Sequence, residues 1–586
     1  MGTRNPEEAT ASGAGLPAAA RHVLNRGLEL VREFLADRRL AAARLVVVTR
    51  GAVSALAGED VPELAHAGLW GLLRVAQSEN PDRVVLVDAD PASRTEMDFR
   101  QVADAVHSGQ AQIAIRDGRL LTPRLARPTA EAGESAEPGW DRGTVLVTGA
   151  TGTLGALVAR HLVAQHGARR LLLLSRRGAH APGADALRAR LEELGAVVDF
   201  AACDVADRAE LAAVLERVPQ DAPLCAVVHT AGVLDDTVIG DLTAERLHAV
   251  VRPKIDAAWN LHELTRELPL SAFVLYSSIA GLIGNAGQAN YAAGNTFLDA
   301  LAAHRRASGL PGTSVAWGLW QESSTISGGL SEADLRRLAR LGLRPLPSDT
   351  AMDLFDAAVV GPEAVTAAVH LDTQVLRRQG ERAHPLLRHL APAPPRRTTG
   401  ANDQAADSAV GLIRQLAALG PDERAAALAD LVRVQAADVL GHTGQDAVHS
   451  ERSFQELGFD SLTAVELRNK LNAATGLRLP STLVFDYPTP AALAGHLADE
   501  ITAGEESATP AGPVLADLAR ARTAIEALAA GDEATRTQVA SSLRELLRLA
   551  EGALTAVADG AGDPADESDL DSATDEELFA LFDELD

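Results

Sequence analysis

Tyr291 and Asn295, four residues apart in QANYAAGN, pair a phenol with an amide at a spacing that suits proton transfer. On a helix that spacing stacks them on one face. The chain has only three tyrosines, and this one stands among Gly, Ala and Asn, with nothing large beside it in sequence to pack its ring. Thirteen residues earlier, Ser278 closes FVLYSS, an apolar strand that would carry Ser277 and Ser278 to a strand-end crevice. Farther back, Lys254 lies in VVRPKIDAAWNLHEL, beside a helix-like run. All but two of the 54 basic residues are arginine, the exceptions being Lys254 and Lys470, so each lysine is informative. A compact ammonium can lower the pKa of a neighbouring phenol, and a guanidinium is no equivalent. Hydride addition to a ketone builds negative charge on oxygen, which calls for a proton donor and a second hydrogen-bond donor. In that chemistry Tyr291 gives the proton, Ser278 holds the carbonyl oxygen, and Lys254 with Asn295 supplies charge and relay. Singly, each residue has an ordinary reading as core tyrosine, strand-end serine, surface lysine or helix asparagine. Their combination with a dinucleotide fold points to catalysis.

That fold is announced by TVLVTGATGTLGALVARHL. An apolar strand, Val145 to Val147, runs into Gly149, Gly152 and Gly155 and then a helix. Glycines in that setting permit a tight turn and close approach of backbone to a pyrophosphate, which the helix N-terminus attracts. Thr151, Thr153 and Leu154 complete the turn. With no Gly-Lys-Ser/Thr, a nucleoside-triphosphate loop is excluded. The next strand, RRLLLLSRRG, ends in Ser175, Arg176 and Arg177, where an acidic residue would favour a ribose hydroxyl and arginine favours a 2′-phosphate. NADPH is therefore expected over NADH. Two later strand ends present Asp204 with Val205, and Thr230, Ala231 and Gly232, which suit adenine and the nicotinamide ribose.

These residues resemble the short-chain dehydrogenase/reductase superfamily and, within it, the ketoreductase domains of modular type I polyketide synthases. The likeness rests on GATGTLG, LSRRG, HTAGVLDD, RPKIDAAWNLHELT, YSSIAG, QANYAAGN and AWGLW, and covers about Trp140 to Val375. In most of the superfamily a lysine follows the tyrosine by four. Here Asn295 stands there and Lys254 lies upstream, as in these ketoreductases. The resemblance further implies a stereochemical type. Leu234, Asp235 and Asp236 look like the B-type motif, Ile283 stands where A-type enzymes have tryptophan, and Ala293 is not the proline of epimerising members, so a B1 enzyme making a D-hydroxyl is expected. The stretch before Trp140, with strand-like RLVVVTRGA and RVVLVDAD around a helical pattern but no phosphate-binding glycines, is similar to the catalytically silent half-domain of such enzymes. Family half-domains begin with further strand and helix sequence, so either the chain is part of a longer polypeptide or the half-domain is incomplete.

Downstream, FQELGFDSLTAVELRNKL places Ser461 before a helical pattern. A serine there would ordinarily be an N-cap. LGFDSL resembles the acyl-carrier signature, however, which implies 4′-phosphopantetheine on Ser461 and a tether that concentrates substrate at the reductase. Lys470 reads as an exposed helix residue. From Asp559 onward the chain holds twelve acids and no Lys or Arg. VLADLARARTAIEALAAG, ATRTQVASSLRELLRLAEGALTAVA and SATDEELFALFDELD are three amphipathic patterns, similar to polyketide synthase docking domains. They imply a homodimer through Val514 to Ala558, and a basic downstream subunit gripping Leu578, Phe582 and Leu585.

At 586 residues the chain exceeds one core. Linker-like stretches at Pro128–Gly139, Ala391–Asp407 and Gly504–Pro513 divide it into a half-domain (1–127), a catalytic domain (140–375), a linker (376–407), a carrier (408–503) and a docking region (514–586). The expected fold is α/β Rossmann-like with a structural half-domain, then an all-α carrier bundle and all-α docking helices. A net charge of −26 argues against nucleic acid. No apolar run reaches membrane-span length and MGTRNPEEA has no signal-peptide core, so a cytoplasmic place is expected. Cys203 and Cys225, in apolar strand contexts, read as reduced core thiols, and no metal is expected. The competing function is a non-reducing carrier and docking scaffold whose reductase fold is vestigial or only epimerises.

Overall fold

A computed structural model of the chain describes residues 15–508 apart from 94–98, 129–137, 323–331, 392–411, 413–415, 417–418, 443–447 and 481. The docking patterns from Val514 onward, with Leu578, Phe582 and Leu585, lie outside the described residues. The polypeptide divides into two compact units, Met1–Ala498 and Asp499–Asp586, and only the start of the second is described.

The first layer is α1 (Leu16–Ala36), β1 (Leu45–Arg50), α2 (Leu64–Glu79), β2 (Val84–Ala89), α3 (Phe99–His107), β3 (Gln112–Arg116) and β4 (Arg119–Leu121). Its sheet runs in the order β1-β2-β3-β4, parallel except for the closing hairpin. The β-rich run VVVT and the apolar VVLV make the strands expected of them, and α1 buries Ala20, Leu24, Leu28 and Val31 at helical spacing.

The second layer alternates β5 (Thr144–Thr148), α4 (Thr153–His166), β6 (Arg170–Ser175), α5 (Ala184–Glu193), β7 (Val197–Ala202), α6 (Arg208–Leu215), β8 (Leu224–His229), α7 (Ala244–Thr265), β9 (Ala272–Ser278), a short α8 (Ile279–Ile283), α9 (Ala289–Ala307) and β10 (Thr313–Trp317). There follow α10 (Glu332–Arg340), α11 (Ser348–Val360), β11 (Val365–Ala368) and α12 (Thr373–Gln379). Seven parallel strands lie in the order β11-β10-β9-β8-β5-β6-β7. The order reverses between β5 and β8, and a ligand crevice opens at such a point beyond the strand ends. β5 and β8 are buried along their whole length, as a central parallel strand covered on both faces must be.

The carrier region folds as α13 (Pro421–Leu440), α14 (Ser461–Thr475), the single turn α15 (Leu483–Asp486) and α16 (Pro490–Ala508). Three sequence expectations need correction. The linker expected from 376 is folded at its start, where Leu376, Ala383, Leu387 and Ala391 form a buried cluster. The linker expected from Gly504 begins as helix, because α16 continues through Glu505, Glu506 and Ala508, all compatible with helical backbone. Lys470 is half-buried and its Nζ bonds Asp438 at 2.5 Å across to α13, rather than standing free on its helix.

The two α/β layers meet where α2 crosses α9. A Cβ added at Gly71 would lie 2.2 Å from the carbonyl oxygen of Ala292 and 2.5 Å from Thr296 Oγ1, and one at Gly68 would lie 3.1 Å from the Ala293 oxygen. Small residues on both helices are thus what lets the backbones touch. Gly71→Ala should lower stability in a denaturant melt by about 1–3 kcal/mol, the usual cost of overpacking. Gly240→Ala, where a methyl would meet nothing within 4 Å, should cost far less, and equal melts for the two variants would contradict the crossing as described.

Candidate active site

Two glycines of the β5–α4 turn, Gly149 and Gly155, stand where a side chain would collide. Gly149 has φ +64°, and a Cβ there would sit 2.9 Å from Ala231 N and from Thr230 Oγ1. At Gly155 it would sit 2.4 Å from the Gly149 oxygen. The turn is therefore pressed against the end of β8, with Thr230 Oγ1 donating to the Thr148 oxygen at 2.7 Å. Gly152 caps α4 without any side-chain bond, which leaves the first helical N–H groups facing the opening.

Beside this turn lies a crevice of about 440 Å³. Its walls include Gly149, Thr151, Gly152, Thr153, Leu154 and Gly155 from the turn, then Ser175, Arg176 and Arg177 from the end of β6. Asp204 and Val205 after β7, and Thr230, Ala231 and Gly232 after β8, complete the set read from the sequence. Arg176 and Arg177 are exposed. Reading by motif missed Arg252 and Cys203. Arg252 also lines the crevice and its Nη1 bonds Asp204 Oδ2 at 2.5 Å, so Asp204 is already partnered. Cys203 is a buried free thiol on the same wall, its pKa pushed up to about 11 by burial.

Next to the crevice, Tyr291 is buried among Val250 and Ala280, with Val233 and Leu234 packed against the same group. Its apolar neighbours come instead from α7, α8 and the loop after β8. Asn295 lies one turn further along α9. Its Nδ2 donates to the Tyr291 backbone oxygen at 2.9 Å, and its Oδ1, also buried, has no protein partner. Ser278 caps α8, its Oγ accepting from Ala280 N at 3.2 Å. Ser277 Oγ donates instead to the Asn295 backbone oxygen at 3.2 Å, fastening β9 to α9. Burial pushes the Tyr291 phenol up, while the nearby Asn295 and Ser278 side chains pull it the other way.

Lys254 reaches this group from α7. Gly294 gives it passage, since a Cβ there would lie 3.0 Å from the lysine Cβ. Its Nζ donates to the Tyr276 oxygen at 2.7 Å and stands 5.7 Å from the centre of the Tyr291 ring. Burial pushes its own pKa down to about 7, against a weaker opposing pull from Asp299. Burial thus favours the neutral form of both the phenol and the ammonium.

The motif residues Leu234, Asp235 and Asp236 form a loop tied to the start of α9. Asn290 Nδ2 donates to the Asp235 oxygen at 2.8 Å, while Asn290 Oδ1 accepts from Tyr291 N at 2.8 Å. Gln288 Nε2 donates to Asp236 Oδ2 at 2.9 Å, and Arg246 Nε donates to Asp235 Oδ2 at 2.8 Å. None of these partners was legible as a site residue, nor was Glu79 at the end of α2. The Glu79 carboxylate accepts from Ile239 N and from Gly287 N, each at 2.9 Å, and so clips the motif loop to the turn before Tyr291. His229, part of the HTAG run, is a structural group. It bridges Thr148 Oγ1 at 2.7 Å and the Pro253 oxygen at 3.0 Å, and burial pushes its pKa down to about 3. The metal-type group among the described residues, His161, His166 and Asp356, lies outside the crevice, both rings bonding the one carboxylate.

In the carrier region Asp460, not Ser461, is the N-cap. Its side chain accepts from Leu462 N and Thr463 N, and Thr463 Oγ1 closes the capping box. The ordinary reading of Ser461 as a cap is thereby displaced.

A parallel seven-stranded sheet, a glycine turn at its switch point and a Tyr-Ser-Lys-Asn group at the strand ends define a Rossmann-type α/β reductase. Residues 143–322 match the family model of the KR domain, 2–125 that of the Rossmann fold domain of polyketide synthase extender module SpnB, and 430–497 that of the phosphopantetheine attachment site. The fold is similar to a solved A1-type ketoreductase, with TM-score 0.55, 41% identity and coverage of 61% of this chain and 75% of that one. It is also similar to a C2-type ketoreductase from a modular polyketide synthase, with TM-score 0.56, 38% identity and coverage of 62% and 78%. In sequence the chain is 49% identical over 574 residues to polyketide synthase GfsA of Streptomyces halstedii, which is 97% of this chain and 7% of that one. It is 48% identical over 537 residues to the spectinabilin polyketide synthase system protein NorA' of Streptomyces orinoci, which is 91% and 14%. The chain thus spans a small part of the curated relatives it matches. The chain belongs to the ketoreductases of modular polyketide synthases, enzymes here followed by a carrier segment. No helix among the described residues is long and apolar enough to cross a membrane.

The depressed lysine has a measurable consequence. With a pKa of about 7 folded and about 10.5 unfolded, the unfolded chain holds a proton in that interval that the folded chain lacks. Lys254 therefore makes stability rise as pH goes from 7 to 10.5, and that contribution is lost as pH falls through 7. Lys254→Met should flatten the slope in this window relative to the wild type in parallel denaturant titrations. Identical slopes would show that the lysine is not desolvated as described.

Proposed function

We propose that the chain reduces a β-ketoacyl thioester, carried on the phosphopantetheine arm of Ser461, to the β-hydroxyacyl thioester with NADPH as cofactor. The observation that carries this reading is the grouping of Tyr291, Ser278, Asn295 and Lys254 beside a crevice lined by the glycine turn. Val233 joins the two, lining the crevice and packing against the tyrosine group.

The crevice fits a 2′-phosphorylated dinucleotide. The uncapped α4 N-terminus suits the pyrophosphate, Arg176 and Arg177 suit the 2′-phosphate, and the Asp204–Val205 and Thr230–Gly232 ends suit adenine and the nicotinamide ribose. NADPH, when bound there, supplies the hydride. Tyr291 passes the phenolic proton to the ketone oxygen as charge develops on it, and Ser278 Oγ orients that oxygen by donating to it. Asn295 Oδ1, buried and without a protein partner, supports a relay through water that returns a proton to Tyr291, with Lys254 as the next donor. The Asp460 cap leaves the Ser461 hydroxyl available for attachment of the arm.

The loop Leu234–Asp236, Ile283 and Ala293 support the B1 reading and a D-hydroxyl. Overall likeness does not carry the stereochemical type, since the similar solved structures include A-type and C-type enzymes. Chiral separation of the product tests it directly. We further propose that the segment from 514 onward dimerises the chain and docks a downstream subunit through Leu578, Phe582 and Leu585, on the strength of its helical patterns alone.

Tyr291→Phe should cut ketone reduction by a factor of about 10²–10⁴ while NADPH binding persists. Near-normal turnover would sink the assignment. Arg176→Ala with Arg177→Ala should weaken NADPH much more than NADH in fluorescence titrations, because only the phosphate loses charge-assisted bonds. Equal losses would speak against the 2′-phosphate contact.

A further inference from the structure

The carrier helix α14 lies against the reductase, and it does so at the residues that fix the active-site loops. Arg468 is buried there. Its Nη2 donates to the backbone oxygen of Glu79 and its Nη1 to Asn80 Oδ1 at 3.2 Å. Asn469 Nδ2 donates to the same Glu79 oxygen at 3.1 Å. Two residues before Arg468, Glu466 pairs with Arg340 and approaches Arg337 Nε at 3.6 Å, both on α10. At the front of the helix, Leu462 touches Gly287, where an added Cβ would lie 3.3 Å from its Cδ1. Gly287 is the residue whose N–H is held by the Glu79 carboxylate, whose oxygen accepts from Thr237 N at 2.7 Å, and which stands four positions before Tyr291.

We propose that this face, made of Glu79 and Asn80 at the end of α2, Gly287 before α9, and Arg337 with Arg340 on α10, is the seat on which this chain's own carrier delivers substrate. The proposal rests on the reading of the chain as a carrier-fed ketoreductase and names the surface that reading requires. The geometry is suited to the task. Leu462 follows Ser461 directly, so the seat sets the modified serine next to the turn that leads into Tyr291. Charge complementarity fixes the register, because a lone acid on α14 meets two arginines on α10, and a buried guanidinium on α14 meets carbonyl oxygen on α2. The half-domain therefore has two uses for one residue. The Glu79 side chain clips the catalytic loops, and its backbone oxygen receives the carrier.

The test uses the full chain carrying phosphopantetheine, with two substrates: a β-ketoacyl group loaded on Ser461, read in a single turnover, and a short soluble β-ketoacyl thioester. Glu466→Arg should slow reduction of the tethered group by about tenfold or more, and leave the soluble thioester unaffected. Adding Arg337→Glu and Arg340→Glu to that variant should restore the tethered rate. Independently of activity, Ser78→Cys with Asn469→Cys should be joined efficiently by a short bismaleimide, the native Cys203 and Cys225 being buried. Unchanged tethered turnover in Glu466→Arg, equal slowing of both substrates, or failure of the crosslink would each overturn the seat. If the crosslink forms but the wild type reduces neither substrate, the seat stands and the proposed activity falls.

Discussion

The crossing of α2 over α9 is the constraint from which the rest of the arrangement follows. Gly68 and Gly71 let the α2 backbone rest on Ala292, Ala293 and Thr296, so the helix that carries Tyr291 and Asn295 cannot shift without displacing the half-domain. Arg74, buried on the next turn of α2, extends the same contact by donating to the Gly281 oxygen at 2.9 Å, which holds α8 and hence Ser278. Glu79, one turn later, ends the helix with its clip on Ile239 and Gly287. A layer without any phosphate-binding turn of its own thus sets three of the pieces around the tyrosine. Calling it silent describes its chemistry and not its role.

Around that crossing the protein holds ionisable groups away from water. Burial brings Lys254 down to about 7, raises Asp299 to about 6 and Glu79 to about 7, and lowers Arg74 to about 10. Desolvation is the largest cause in each case; hydrogen bonds at Glu79 and Asp299, and opposite charge at Lys254 and Arg74, only partly offset it. Such groups weaken the fold and are found where proton transfer needs pKa values near neutrality. The buried, unpartnered Asn295 Oδ1 belongs to the same pattern, since a polar atom left without a bond in a core is costly unless a water or reactant completes it.

The carrier end repeats the lesson on a smaller scale. With Asp460 and Thr463 satisfying the first turn of α14, Ser461 is freed from the duty its position would ordinarily impose. Arg468, at the middle of the same helix, is drawn out of solvent against α2. Helix-capping and docking are therefore divided between residues that look alike in a sequence of polar positions.

Local elements and the chemistry of single motifs can be read from the order of residues alone. The alternation of apolar strands and helices, the glycine turn at Gly149 to Gly155, the arginines after β6, and the one-face pairing of Tyr291 with Asn295 all follow from spacing along the chain, because they depend on neighbours within a turn or a strand. What those motifs meet depends on the packed fold. It supplied Val250 and Ala280 as the walls for a tyrosine with no large residue beside it, routed Lys254 past Gly294 to a carbonyl rather than to the phenol, and made Glu79 and Asn290 the holders of the loops. It also folded residues after 376 that read as linker. These outcomes rest on contacts between residues far apart in sequence and on the loss of water around them, and neither distance nor desolvation is written in the order of the amino acids.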